Sequence, residues 1–269
     1  MKKKSLNTKK IKKEISENGY CVLKNFIKKK DIKKILETLA LVFANKSKIT
    51  TLITKKIKQK NYWQDFEFNK KIIKLRKDKP SKFSIVYNLV KNNPNFLDIV
   101  NNKNLIDLAS NLLNTHVSNI WNGEFTLRMD PPKDKRNLLG WHQEANYYKQ
   151  HTKDGINGLV FTITFSEKIN NRNGGLQVCP KSQKLGLLNS TIKKVKLKKH
   201  KGKYSSQTHQ VDNVHIKKFK PKTIATYQGD LVIMDLKLFH RSGYNSSKLF
   251  RITSINRVFN TLSSSHPLA

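Results

Sequence analysis

Two short stretches concentrate the residues of this chain that can do chemistry. One is Trp141-His142-Gln143-Glu144; the other is GDLVIMDLKLFHRSGYNSSKLFR, residues 229–251, which holds His240 and Arg251. Two imidazoles and one carboxylate can grip a ferrous ion on one face and leave the opposite coordination positions open. An arginine 11 residues beyond the second histidine can hold the carboxylate of a bound acid in a two-pronged contact. His142, Glu144, His240 and Arg251 together suggest an oxygenase that uses iron and 2-oxoglutarate.

Alone, a His-x-acid triplet arises readily by chance, so its setting decides its weight. Here the triplet follows Leu138-Leu139-Gly140, where an amphipathic strand can end. His240 follows DLVIMD (230–235), an apolar run opened by the turn signal Gly229-Asp230. Arg251 begins a second strand-like run, RITSINRVF, and Ser242-Gly243-Tyr244-Asn245-Ser246-Ser247 reads as a turn between them. The pattern predicts a hairpin with His240 at the end of one strand and Arg251 on its neighbour, both facing one cavity if the register allows.

With these blocks in place, the chain resembles the phytanoyl-CoA dioxygenase family of iron- and 2-oxoglutarate-dependent oxygenases. The matching stretches are Gly19-Tyr20-Cys21-Val22-Leu23, Trp141-His142-Gln143-Glu144, Asn173 through Ser182, Gly229-Asp230-Leu231-Val232, His240-Arg241-Ser242-Gly243, Asn245-Ser246 and Arg251. They span roughly Ser16 to Phe259 in consistent order. The resemblance implies an α+β chain with a double-stranded β-helix, or jelly roll, flanked by N-terminal helices. It implies Fe(2+) on His142, Glu144 and His240, with 2-oxoglutarate taking two open positions and O2 the last. Arg251 would pair with the far carboxylate of 2-oxoglutarate, and Ser242 and Gln143 match positions that contact this co-substrate. One residue departs from the pattern: the family usually has Asp where this chain has Glu144, and the extra methylene sets the backbone further from the metal. A carboxylate here also argues against a halogenase, which keeps a small residue at this place to admit chloride.

Bulk properties narrow the field. The length of 269 residues fits one oxygenase domain, with residues 1–115 mainly helical and 116–260 forming the jelly-roll core. A hydrophobic content of 37% suffices for a core, and no apolar run is long enough to span a membrane. The start, MKKKSLNTKKIKKEISENG, has charge but no apolar segment after it, so a secretory signal is not expected and the cytoplasm is the default. Cys21 and Cys179 sit in apolar runs and read as buried thiols rather than a disulfide or a zinc site. The formal charge of +36 admits an anionic partner such as nucleic acid. It is nearly all lysine, 47 against seven arginines, and is spread along the chain. Nucleic-acid readers favour arginine, so the composition reads first as a lysine-biased proteome.

Along the chain, residues 7–18 read as a basic helix ending at Gly19, followed by the strand Tyr20–Leu23. Asp31 is read as the cap of a helix running to about Ala44. Residues 46–80 read as loops and a short helix around Tyr62-Trp63, whose aromatics are expected to pack beneath a loop. Helices follow at 83–90, 95–100 and 105–113, then strands at 120–129, 158–165 and 176–179. The stretch 184–222 reads as a Lys-rich insertion with an extra strand at 210–216. His116, His151, His200, His209, His215 and His266 lack partners at ligand spacing and are assigned to surface or loop roles. The leading functional reading is hydroxylation of a C–H bond in a small-molecule substrate. The alternatives are an oxygenase acting on nucleic acid or protein, and a non-catalytic jelly-roll binding module. Oligomeric state is not legible.

Overall fold

The computed structural model describes residues 7–47, 61–135, 138–148, 157–196 and 205–262. Helices α1 (Thr8–Asn18), α2 (Lys29–Ser47), α3 (Phe66–Asp78), α4 (Pro80–Lys91), α5 (Pro94–Val100) and α6 (Lys103–Leu113) occupy the first part, with strand β1 (Tyr20–Leu23) between the first two. The remaining strands are β2 (Ile120–Asp130), β3 (Gly158–Thr164), β4 (Lys168–Ile169), β5 (Gln177–Val178), β6 (Thr191–Lys196) and β7 (Ser205–Gln210). Then come β8 (Lys222–Thr223), β9 (Thr226–Tyr227), β10 (Leu231–Asp235), β11 (His240–Arg241) and β12 (Arg251–Asn260), with a helical turn α7 (Asn213–Ile216) after β7.

Helix boundaries follow local chemistry. Asn7 and Asp65 accept backbone N–H groups at the starts of α1 and α3, and proline occupies the first turn of α4 and α5. Gly19 closes α1 at φ +85, a conformation that favours glycine, and a Cβ there would collide with Leu238 and Gln183.

The large sheet has the order β1-β10-β3-β12-β2, with every pairing antiparallel. Strand alternation divides its residues between two faces. Leu127, Met129, Leu159, Phe161, Ile163, Leu231, Ile233, Ile252 and Val258 join one apolar core with the six helices. Each such side chain contributes roughly 1.5–3 kcal/mol on full burial. The intervening residues Arg128, Val160, Thr162, Thr164, Val232, Met234, Arg251, Thr253, Ile255 and Arg257 line a cavity on the opposite face. The second wall comes from the sheet β11-β5-β8 and the pair β4-β9. This is a helix-backed, open jelly-roll sandwich, as the sequence predicted.

Four local expectations need correction. Residues 66–78 form the full helix α3, because Phe68, Ile72 and Leu75 make an apolar stripe that the lysines between them dilute. The helix α2 begins before Asp31, which lies in its first turn. The extra strand in the 184–222 region is Ser205–Gln210, paired with β6, while Asn213–Ile216 is the turn α7. His240 and Arg251 do not share a hairpin: β11 belongs to the small sheet and β12 to the large one, so the two residues face each other across the cavity. Trp63 is buried against α2, its indole N–H donating to Leu36 O at 2.9 Å. Cys21 and Cys179 are both buried and free. No helix among the described residues is long and apolar enough to cross a membrane.

Asp230 pins the turn ahead of β10. It is 1% exposed and accepts from the backbone N–H groups of Asn25 (3.0 Å) and Tyr227 (2.8 Å) and from Lys24 Nζ (2.8 Å). Asp230→Ala removes the buried carboxylate that ties those three donors together. The expected cost is about 2–4 kcal/mol, read as a lower thermal midpoint by calorimetry.

Candidate metal centre

His142 and His240 form an isolated antiparallel bridge in which each backbone N–H donates to the other's carbonyl at 3.0 Å. That reciprocal pairing sets two side chains next to each other on one face, and the imidazole centroids stand 4.1 Å apart. Val178 on β5 fixes His240 from the other side through strand pairing. Glu144 opens a short 3-10 turn, Glu144–Tyr147, which Ala145 N–H ties to Leu236 O at 3.0 Å.

The hydrogen bonds set the tautomers. His142 Nδ1 lies 2.8 Å from Gly140 O and His240 Nδ1 2.9 Å from Leu238 O. A carbonyl can only accept, so each Nδ1 carries a proton, and a ring in its neutral form turns a lone pair on Nε2 inward. Burial, and then His240, lower the pKa of His142, which favours this neutral form. The Nε2 atoms of His240 and His142 lie 3.5 and 3.8 Å from Glu144 Oε2. One ion with bonds of about 2.1 Å can bridge such separations. All three residues are buried. Three electron-pair donors converging on one point are completed by a cation, and neutral imidazole with carboxylate is a donor set suited to ferrous iron.

Glu144 is held from behind by Arg257, whose Nε donates to Oε1 at 2.6 Å. Burial alone would raise the Glu144 pKa; Arg257 and the two imidazoles outweigh it and hold the carboxyl well below its ordinary value. One oxygen is thus committed to Arg257 and the other faces the histidines.

The other end of the cavity is basic. Arg251 on β12 and Arg128 on β2 both donate to Asp130, Arg251 through Nε at 3.1 Å and also through Nη2, and Arg128 through Nε at 2.8 and 3.0 Å. Arg251 Nη1 also donates to Gly174 O. Burial would raise the Asp130 pKa, but Arg251 and Arg128 pull it down to about 2. Ser242 lines the same cavity and its Oγ accepts from Arg128 Nη2 at 2.9 Å.

Gln143 lies elsewhere than expected. Its Nε2 donates to Gly186 O and Lys237 O, both at 2.7 Å, and its Oε1 accepts from Leu188 N–H at 2.9 Å. It is fully buried and absent from the cavity lining: the alternation that points its two neighbours inward points it into the wall. Arg128, Arg241 and Arg257 also line the cavity and were not singled out from the sequence. The signal for Arg257 was present, since it lies an even number of positions along β12 from Arg251. His209, assigned to a loop, lies on β7 and meets Tyr147 edge-on at 4.9 Å, and Tyr147 meets His142 edge-on at 6.0 Å. His151, His200 and His266 lie outside the described residues.

This cavity is that of an iron- and 2-oxoglutarate-dependent oxygenase. The family model described as phytanoyl-CoA dioxygenase matches residues 15–253, and the chain belongs to that family. No curated protein matches it. Among solved structures, EctD from S. alaskensis with bound Fe is 13% identical, with 92% of this chain and 75% of that chain covered at a TM-score of 0.55. AviO1 from Streptomyces viridochromogenes is 13% identical, covering 97% and 98% at 0.53. The epimerase SnoN, in complex with Fe3+, alpha ketoglutarate and nogalamycin RO, is 10% identical, covering 94% and 83% at 0.55. At these identities the shared property is the fold.

Two predictions follow from the charged contacts. Arg257→Leu frees Glu144 to turn away from the histidines, and its affinity for Co(II) or Fe(II), measured by titration, should fall about 10–100-fold. Asp130 has a folded-state pKa of about 2, below its ordinary 3.8. Its stabilisation of about 2 kcal/mol is therefore fully present above about pH 4 and is lost as pH falls through about 2. The stability gap between wild type and Asp130→Asn, from denaturant melts, should narrow over that interval.

Proposed function

We propose that this protein uses ferrous iron, 2-oxoglutarate and dioxygen to hydroxylate a C–H bond of a small organic substrate. His142, Glu144 and His240 ligate the iron, while Arg251 and Ser242 hold the co-substrate. The observation that carries this reading is the convergence of three buried lone-pair donors with a guanidinium cluster lining the same cavity. When bound, the iron and 2-oxoglutarate supply oxygen activation coupled to release of succinate and carbon dioxide.

The chain's own residues supply position and exclusion. Nδ1–H bonds to Gly140 O and Leu238 O fix both imidazole planes. Arg251, steadied by Asp130 and Gly174 O, presents a fixed cation to a carboxylate. Val160, Ile169, Leu176, Ile224, Val232 and Met234 make the walls apolar and limit access of water to the reacting centre.

Hydroxylation is favoured because Glu144 fills the third protein position, which leaves no place for a halide. A solved structure of EctD holds 2-oxoglutarate and 5-hydroxyectoine, a small hydroxylated compound. A small substrate also suits an inner cavity of about 90 Å³, and supports this reading over nucleic acid or protein.

Anaerobic addition of Fe(II) and 2-oxoglutarate should produce a visible charge-transfer band. His240→Ala should abolish it, and Arg251→Gln should weaken 2-oxoglutarate binding about tenfold or more. Succinate release that continues undiminished in His240→Ala would falsify the reading.

A further inference from the structure

The inner cavity adjoins an outer one of about 580 Å³, and the two share Leu139, Arg241 and Ser242. Among the described residues the outer lining holds no carboxylate; Asn171, Gln210, Tyr244 and Ser246 give it neutral hydrogen-bonding groups. Among the described residues Arg241 is its one charged side chain, and it directly follows His240 on β11.

Arg241 is held for a purpose other than a salt bridge. Its guanidinium carbon sits over the ring of Trp141 at 4.7 Å. Its Nε donates to Oε1 of Gln177, its cross-strand partner, at 2.6 Å. Trp141 is itself packed with Cys179, Val211, Ile216 and Phe239. The plane and the Nε edge are thereby fixed by neutral groups, so the charge is positioned without being neutralised. The Nη edge is the part of a guanidinium that meets carboxylate or phosphate in a fork.

Charge balance points the same way. Arg128, Arg241, Arg251 and Arg257 line the inner cavity. Against them stand Glu144, bound to Arg257, and Asp130, bound to Arg128 and Arg251. Among the described residues that leaves an excess of positive charge at Arg241, which no acid contacts. A doubly charged metal and a dianionic co-substrate cancel each other, so the same excess persists in the loaded site.

We propose that Arg241 is the specificity-determining residue for an anionic substrate, one bearing a carboxylate or phosphate ester that docks at the cavity mouth while its carbon chain enters the apolar interior. This rests on the proposed iron and 2-oxoglutarate reading, but its binding readout is separate.

The test uses the full chain loaded anaerobically with Fe(II) and 2-oxoglutarate, with hexanoate, hexyl phosphate and hexanol as probes in calorimetry. Wild type should bind at least one anionic probe more tightly than hexanol, and whichever anion prevails identifies the head group. Arg241→Gln should weaken that anion about tenfold and leave hexanol unchanged; Arg241→Lys should recover part of the loss. Equal affinity of wild type for hexanol and both anions would overturn the proposal, as would a loss in Arg241→Gln that is the same for charged and neutral probes. A missing charge-transfer band in wild type counts against the metal reading instead, and the anion preference can still be read without it.

Discussion

A carboxylate buried beside two neutral imidazoles is unfavourable unless positive charge stands next to it, and the centre of this molecule depends on that compensation. Arg257 provides it at 2.6 Å from Glu144 Oε1. The contact favours the ionised acid at a site where burial alone favours the protonated one. It also fixes which oxygen is available to a metal. Arg257 reaches Glu144 because β12 is an inner strand of the large sheet, between β2 and β3, and alternation sets residues 251, 253, 255 and 257 on the cavity side. The same strand therefore carries the guanidinium at each end of the site, one near the acid and one near Asp130. The helices behind the sheet hold that register: Ile252 and Val258 are locked into the core they share.

Much of this arrangement was legible from residue order. The apolar run of β10 and the helices α1, α2, α4, α5 and α6 are local signals, and they fell within a few residues of where the sequence placed them. The metal face was legible because identity and spacing together restrict what His142, Glu144 and His240 can do. The relation between His240 and Arg251 was not. A turn-rich stretch of ten residues, 241–250, between two strand-like runs suggests a hairpin, yet here it carries the chain from the small sheet to the large one. Pairing partners are long-range choices, and nothing in the turn composition specifies them. Helix α3 was obscured for a different reason, since lysines dominate its exposed positions and lower the contrast of its apolar stripe. Gln143 shows the limit of carrying a role over by position: the residue is where the resemblance put it, but its amide is consumed by three backbone groups.

The charge of the chain also resolves into two populations. Lysine makes up 47 of the 54 basic residues, and among the described residues none lines the inner cavity. Four of the seven arginines do. This division follows from hydration. An ammonium is strongly hydrated and costly to bury, while a guanidinium can stack, fork and share its donors with several acceptors. The lysine excess fits a compositional bias expressed on the surface; the arginines mark where anions are handled.

Fold alone leaves the outcome of the reaction open, as the structural likeness to the epimerase SnoN illustrates. Two imidazoles and an acid provide a metal face that several reactions can use. Which bond is placed before it depends on the walls and on whatever fixes the far end of the substrate. In this chain the lining sets Val160, Ile169, Leu176, Ile224, Val232, Met234 and Ile255 among Thr162, Thr164, Thr226 and Thr253, and its apolar part can shield a carbon chain but cannot orient it. Orientation has to come from a polar group at a fixed distance from the metal face. Arg241 satisfies that geometrically, because its position is set by the same two-residue strand that sets His240. Any shift of β11 moves ligand and anchor together, which preserves the spacing between the gripped head group and the reacting carbon.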